Sequence, residues 1–418
     1  MISPVGRPES RTLKARYVFP VVADPIADGT VTIQGERIVG VGSGSAGPGT
    51  EDCGSVAILP GLVNAHTHLE FSDLASPLGQ PGMGFVAWLE EVARVRGRDA
   101  GSRRRGVELG LAECLSSGVT AVGEIAQPGW EAKRFEKAPL EAMIFLELIA
   151  PTAPRVLAAW DLACEHLRGA GPGRRWHAGL SPHAPYSVHP ALLARLVQEL
   201  DLGHVPIAIH LAESREELEL LRSGTGPFRK LLGGIEGWQA DSIPPGSRPL
   251  DYLHALRAAQ RLLVVHGNYL DDDEIGFLAG HRDRTAVVYC PRTHAYFAHD
   301  PHPLGKLLSA GVTVVLGTDG RASSPDLSIL AEMRFLAQRG VLGGSELVEM
   351  GTLDAAWALG LDGQIGTLEP GKYADLAIVP LPDRDATDPY ELLFDSDRPV
   401  QATWYRGRPR YKASGATV

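Results

Sequence analysis

Eight apolar, strand-like runs follow one another through the middle of the chain, with segments of helical periodicity between them, and this alternation restricts the fold more than any other feature. The runs are Ile58 to His66, Val119 to Glu124, Ala142 to Leu148, Trp176 to Ser181, Val205 to Leu211, Leu262 to His266, Ala286 to Tyr289 and Val312 to Leu316. A strand joined to a parallel neighbour through a helix is a βαβ unit, and eight such units in about 300 residues predict a (β/α)8 TIM barrel slightly above its typical size. A doubly wound sheet is the second architecture. Helical spacing is visible in Pro190 to Leu200, Ser214 to Leu221 and Leu327 to Gln338, and Ser214 with Glu217 has the form of a capping box.

The two ends of the chain have a different texture from the middle. Short alternating runs such as Tyr17 to Phe19, Gly29 to Ile33 and Arg37 to Val41 return near the C-terminus as Gly366 to Leu368, Ala374 to Val379 and Ala402 to Tyr405. Residues 1–57 and 361–418 are therefore expected to form one small β-domain beside a 58–360 barrel, since termini often lie close together.

Of 418 residues, 44% are hydrophobic and 22% charged, enough for a large buried core, and the net charge is -10. That balance argues against a nucleic-acid partner, which needs clustered Lys and Arg to neutralise phosphates. The one basic run, Arg103 to Arg105, reads as the solvated start of a helix. Cys53, Cys114, Cys164 and Cys290 show no C-x-x-C spacing, so neither a thiolate site nor a disulfide framework is expected. The N-terminal stretch lacks the apolar core of a signal peptide, and no apolar run reaches the ~18 residues that span a bilayer. The expectation is a cytoplasmic protein with a small-molecule substrate, no nucleic acid and no membrane; a homo-oligomer is left open.

Polar residues end these runs in a way the barrel explains, because its active site forms at the C-terminal ends of the strands. The first ends in His66-Thr67-His68, the fourth in Ser181-Pro182-His183, and the fifth in His210 with Glu213 three residues on. The sixth ends in His266, the seventh in Cys290 to His294, and the eighth in Thr318-Asp319. Two histidines two residues apart in an extended chain face the same way, which suits a shared metal ion. His66, His68, His210 and Asp319 make a set of three imidazoles and one carboxylate, suited to one divalent ion, Zn2+ or Fe2+, with a position open to water. Such an ion lowers the pKa of its water toward ~7. Asp319 can take that proton, Glu213 can pass it to a substrate, and His266 can support developing negative charge.

The motifs PGLVNAHTH, HLAES from His210, HGNYL from His266, LGTDG from Leu316 and GTLEPGKYADLAIV near the end resemble the amidohydrolase superfamily, in its mononuclear deaminase and chlorohydrolase branch. The resemblance implies a barrel with a β-sandwich built from both termini, metal ligands at His66, His68, His210 and Asp319, and catalytic roles for Glu213 and His266. Binuclear members use a carboxylated lysine from the fourth strand; that strand has none, Lys133 and Lys137 lie before it, and one metal is expected. Glu147 reads as a supporting residue rather than a ligand.

The LEFSD, GFVAWLEE and SPHAPYSVHP stretches most resemble aminofutalosine deaminases, which act on an adenine nucleoside carrying a carboxybenzoyl group. That resemblance implies a substrate-side role for His183. Phe71 and Trp88 are further candidates for substrate binding, although Met83, Phe85 and Trp88 most simply read as core or lid packing rather than as a wall for adenine. Arg292 or Arg321 could meet a substrate carboxylate. The stretch CPRTHAYF departs from the family's usual Ser-Asn pair, placing Thr293 and His294 there. The His299 to His302 stretch reads as a rigid surface turn. The alternative functions are a chlorohydrolase or other C-N hydrolase of a heteroaromatic ring, and a metal-binding scaffold without catalysis.

Overall fold

The computed structural model describes residues 10–44, 49–97, 100–171 and 174–415. The first nine residues, where the expected terminal β-domain begins, and the last three, where it ends, lie outside that description. Contacts divide the chain into two units, one of residues up to 63 with 112–121 and 328 onward, the other of residues 64–111 and 122–327.

Among the described residues, eight parallel strands stand in sequence order in one sheet. They are β1 (Leu62–Thr67), β2 (Val119–Ala126), β3 (Glu141–Leu148), β4 (Trp176–Pro182), β5 (Pro206–Leu211), β6 (Arg261–His266), β7 (Thr285–Tyr289) and β8 (Thr313–Leu316). The sheet closes on itself between the first and last strands. Thr67 bridges Asp319 in parallel, and the backbone N–H groups of Thr318 and Asp319 both donate to the His66 carbonyl at 3.1 Å. Every residue of β1, β2, β3, β5 and β7 is buried, as expected for a parallel sheet covered on both faces. The fold is the expected (β/α)8 barrel.

The first apolar run does not stay in one sheet. Val56–Pro60 pairs antiparallel with Leu376–Pro380, and only the part after Gly61 enters the barrel as β1. The break falls where Pro60 supplies no N–H and where Gly61 is required, because a Cβ there would stand 2.0 Å from Thr120 Oγ1. The contact boundary accordingly comes after 63 rather than after 57. It also returns to the terminal unit at 328 rather than 361, because helices Ile329–Ala337 and Gly344–Met350 pack with Pro389–Phe394 in that unit.

The terminal unit holds two sheets. One runs Arg37–Ser43, Gly29–Gln34, Ser10–Lys14, Thr50–Asp52; the other runs Arg408–Lys412, Ala402–Tyr405, Leu376–Pro380, Val56–Pro60, Tyr17–Val18, Ile26–Ala27. Leu13, Val31, Ile33 and Ile38 from the first share one apolar core with Val18, Ile58, Ile378 and Trp404 from the second. That shared core makes the pair a sandwich drawn from both termini. The expected strand at 366–368 is instead a turn, opened by Gly366 at φ 92°.

Candidate metal centre and active site

The C-terminal ends of β1, β5, β6 and β8 bring His66, His68, His210, His266 and Asp319 together. Ligand-type atoms of His66, His68 and His210 lie within 4.8 Å of one another, and the same holds for His66, His266 and Asp319. Asp319 Oδ1 is 3.5 Å from His66 Nε2 and 3.6 Å from His68 Nε2, and His68 Nε2 is 3.4 Å from His210 Nε2. All five side chains are buried.

The backbone sets these positions. His266 and Asp319 sit at φ 68° and 57°, and Ala212, just after β5, at φ 52°. Left-handed backbone costs a non-glycine residue on the order of 1 to 3 kcal/mol and persists where the surroundings impose it, commonly at functional sites. Gly317 permits the seam to close so tightly, since a Cβ on it would approach His66 Cβ to 2.9 Å. His210 donates from Nδ1 to the His183 carbonyl at 3.1 Å, leaving Nε2 to face the cluster. Ser323 donates to Asp319 Oδ2, and the Thr293 hydroxyl lies 3.1 Å from that of Ser323. Thr293, part of the departure after β7, thus backs up Asp319 from behind.

Both ring nitrogens of His66 and the Nδ1 of His68 are buried without a hydrogen-bond partner. Buried polar atoms rarely go unsatisfied, and a cation shared with Asp319 accounts for His66 Nε2, the ring nitrogen 3.5 Å from Asp319 Oδ1, though not for the Nδ1 atoms, since one imidazole gives one ligand atom to one ion. The protonation states agree. His68 is pushed down to about 3, first by burial and then by His66. His210 and His266 are pushed well below the usual histidine range, again chiefly by burial. Burial by itself would raise the Asp319 carboxyl, but contact with His66 and the charges of His68 and His266 hold it below the ordinary range. Neutral imidazoles and an ionised carboxylate are the forms that bind a divalent ion.

Glu213 is perturbed in the opposite direction. Burial raises its pKa well above the usual carboxyl range, and the Asp319 and Glu217 charges add to it. Its Oε1 lies 3.2 Å from His266 Nε2, and its carbonyl accepts from Asn268 Nδ2 at 2.9 Å. Ser214 caps the helix Arg215–Ser223 by accepting from Glu217 N, as the capping box predicts. The Glu217 carboxylate reaches past the cap to accept from Ala212 N at 3.0 Å and Glu213 N at 2.8 Å, fixing the turn that presents Glu213.

A pocket over this cluster is lined by His68, His183, His210, Glu213, His266 and Asp319 on one side. Facing them are Phe71, Tyr186 and one face of the helix Phe85–Arg96, namely Phe85, Trp88, Leu89, Val92 and Arg96. Sequence reasoning therefore placed Phe71, Trp88 and His183 where the pocket is. It missed Tyr186 and Arg96. The spacing 85, 88, 89, 92, 96 is a helical stripe, and the signal for Arg96 was that a charged residue continues an apolar one.

Three other expected substrate residues lie elsewhere. Arg292 is held by Asp326 through bonds of 2.6 and 2.9 Å, Arg321 donates to the Leu74 carbonyl at 3.1 Å, and neither lines the pocket. His294 Nε2 is 2.8 Å from the Asp300 carbonyl oxygen, which fixes a loop. The expected surface turn at 299–302 packs inward: the His302 ring stacks on Tyr289 at 3.9 Å and donates from Nε2 to the His266 carbonyl at 3.0 Å.

Residues 57–409 match the amidohydrolase family. A 5-methylthioadenosine/S-adenosylhomocysteine deaminase of Moorella thermoacetica is 31% identical over 393 residues, covering 88% of this chain and 85% of the relative. The Desulforudis audaxviator protein of the same description is 32% identical over 88% of this chain and 84% of its own length. Among solved structures, a zinc-bound adenosine deaminase from Xanthomonas campestris superposes with a TM-score of 0.80 at 26% identity, covering 97% of this chain and 94% of its own. The aminofutalosine deaminase of Helicobacter pylori, bound to methylthio-coformycin, superposes at 0.83 and 22% identity, covering 96% and 100%, and shares the fold. The chain belongs to the amidohydrolase family. Within it, the chain is an enzyme of the mononuclear deaminase branch. No helix among the described residues is long and apolar enough to cross a membrane.

Proposed function

We propose that the chain is a metal-dependent hydrolytic deaminase of an adenine-type nucleoside, working in the cytoplasm and releasing ammonia. The observation that carries this reading is the opposite perturbation of Asp319, pushed toward its ionised form, and Glu213, pushed toward its protonated form, beside a cluster of imidazoles with Glu213 Oε1 3.2 Å from His266 Nε2. Two carboxyls driven apart by their surroundings are the signature of divided acid and base roles. The relatives' deaminase descriptions and the zinc-bound structure favour adenine nucleosides and a divalent ion, Zn2+ or Fe2+.

In this reading His66, His68, His210 and Asp319 hold one ion, which when bound supplies Lewis acidity and a water acidified toward ~7. Asp319 accepts a proton. Glu213 donates to the purine ring nitrogen beside the reacting carbon, takes up the proton of the added hydroxyl as the carbonyl forms and passes it to the departing amine; the proton held by Asp319 then restores Glu213, while His266 holds the oxygen side. Phe71, Trp88 and Tyr186 offer the base apolar faces and keep bulk water out. Within adenine nucleosides, the carboxybenzoyl compound aminodeoxyfutalosine and the 5′-thioethers named for the relatives are the two candidate substrate types.

Ammonia release from a panel of adenosine derivatives, with metal content measured on the same samples, tests the reading. Ammonia from at least one purine at one ion per chain is expected. Chloride from chlorotriazines with no ammonia from any purine overturns it in favour of a chlorohydrolase, and no turnover at all leaves the scaffold.

A further inference from the structure

Arg96 ends the pocket-facing stripe of its helix, and its guanidinium is already engaged. Nη1 lies 3.1 Å from Glu147 Oε2, Nη2 donates to Glu147 Oε1 at 3.4 Å, and Nε donates to Glu70 Oε1 at 3.0 Å. The group also lies over the Phe71 ring at 5.5 Å. Glu147 is fully buried, accepts from Gln127 Nε2, and sits 3.6 Å from His183 Nε2. Burial opposes its ionisation, but Arg96 first and then His183 and His68 hold its pKa down at about 2. One buried carboxylate therefore cancels the charge of Arg96, and a second carboxyl occupies its remaining edge.

The consequence concerns charge. Arg96 is the one arginine lining the pocket among the described residues, since Arg292 and Arg321 lie outside it. A substrate carboxylate brought to Arg96 would compete with Glu147, and winning would leave the buried Glu147 carboxylate without its guanidinium, with only Gln127 and His183 beside it, which is costly. A neutral acceptor makes no such demand, because each Nη nitrogen carries a second N–H beyond the one given to Glu147. The rest of that wall, Phe71, Phe85, Trp88, Leu89, Val92 and Tyr186, favours an apolar substituent.

We propose that Arg96, with its charge cancelled by Glu147, is a specificity-determining residue. It admits adenine nucleosides whose substituent remote from the amine is uncharged and turns away those ending in a carboxylate. The inference rests on the adenine-nucleoside reading above and narrows its substrate class to neutral 5′-substituted nucleosides.

Three adenosine 5′-thioethers test it: the methyl compound, the carboxymethyl compound, and the methyl amide of the latter, which matches its size without its charge. Both kcat/KM with the wild-type enzyme and calorimetric binding to Glu213→Gln are measured. The amide should exceed the carboxylate by about 100-fold in both readouts, the order expected for a discriminating charge. Glu147→Gln should narrow that ratio by roughly tenfold or more, because it releases the Arg96 charge, while Glu147→Asp should keep it. A merely structural role would lower all three compounds together and leave the ratio where it was. If Glu147→Gln does not fold, Glu70→Gln should move the ratio the same way by less.

Equal handling of amide and carboxylate by the wild type overturns the proposal, as does a ratio unmoved in the folded glutamine variants. Binding that still prefers the amide, with no ammonia from any of the three, sinks the deaminase reading and keeps this one. Binding of none of them sinks both.

Discussion

The two sides of the pocket are built on different principles. On one side, His66, His68, His210, His266 and Asp319 stand at the ends of four strands, and main-chain geometry holds them: the seam hydrogen bonds to the His66 carbonyl, and left-handed backbone at His266 and Asp319. On the other, one helix presents Phe85, Trp88, Leu89, Val92 and Arg96. Side-chain packing attaches it, Phe85, Val86, Trp88 and Val92 sharing one apolar cluster with Leu220, Phe228 and Phe297, with few polar contacts besides: Phe85 N to Glu216 Oε1 at 3.3 Å, the Trp88 indole to the Ala322 carbonyl at 3.0 Å, and the Arg96 ion pairs. The difference teaches that the bond-breaking side is part of the sheet and tolerates little change, whereas the substrate side is an attachment that can vary without disturbing the chemistry.

The comparison breaks most visibly at His66. Its ring is fully buried and approaches Asp319 and the other histidines. His66→Ala should abolish both turnover and stoichiometric metal, because it removes one of the four ligands proposed for the ion. Elemental analysis of the purified variant checks this, and one full ion per chain would remove His66 from the ligand set. Glu213→Gln should have the next largest effect and divide the two readouts. The amide keeps the shape but cannot shuttle a proton, so metal should stay while kcat falls by roughly 10²-fold or more. Wild-type turnover in that variant would take Glu213 out of the reaction.

The same contrast decides what could be read from the sequence. Strand ends are legible: an apolar run that ends in His, or is followed within three residues by Asp, is a local pattern, and it marks His66, His210, His266 and Asp319 in the sequence. Break points inside a run are less so, which is why Ile58 to His66 reads as one strand although Pro60-Gly61 hands it from one sheet to the other. Partners distant in sequence are not legible at all. Nothing near Arg292 announces that Asp326 will hold it, and nothing near Arg96 announces Glu147, 51 positions away. Thr293 and His294 were visible as a departure, but only the fold shows that one supports Asp319 through Ser323 and the other pins a loop.

The smallest effect is expected where the attached side is loosened without emptying it. Trp88 stacks on Phe85 with ring centres 5.7 Å apart, meets Phe297 edge-on at 5.1 Å, and makes one hydrogen bond, to Ala322 O. Trp88→Phe retains an aromatic face toward the pocket and toward its neighbours but removes that bond. A neutral hydrogen bond contributes about 1 kcal/mol net, which corresponds to roughly fivefold in an equilibrium constant. The loss should fall on the seating of the helix over the pocket and hence on substrate affinity. KM should rise by about that factor, while kcat and metal content stay near wild type, since the strand-end groups never touch Trp88. Steady-state kinetics on the preferred nucleoside decides between the two sides. A fall in kcat at unchanged KM would mean that the helix holds the reacting groups as well as the substrate, and the division between a rigid chemical side and an attached substrate side would have to be given up.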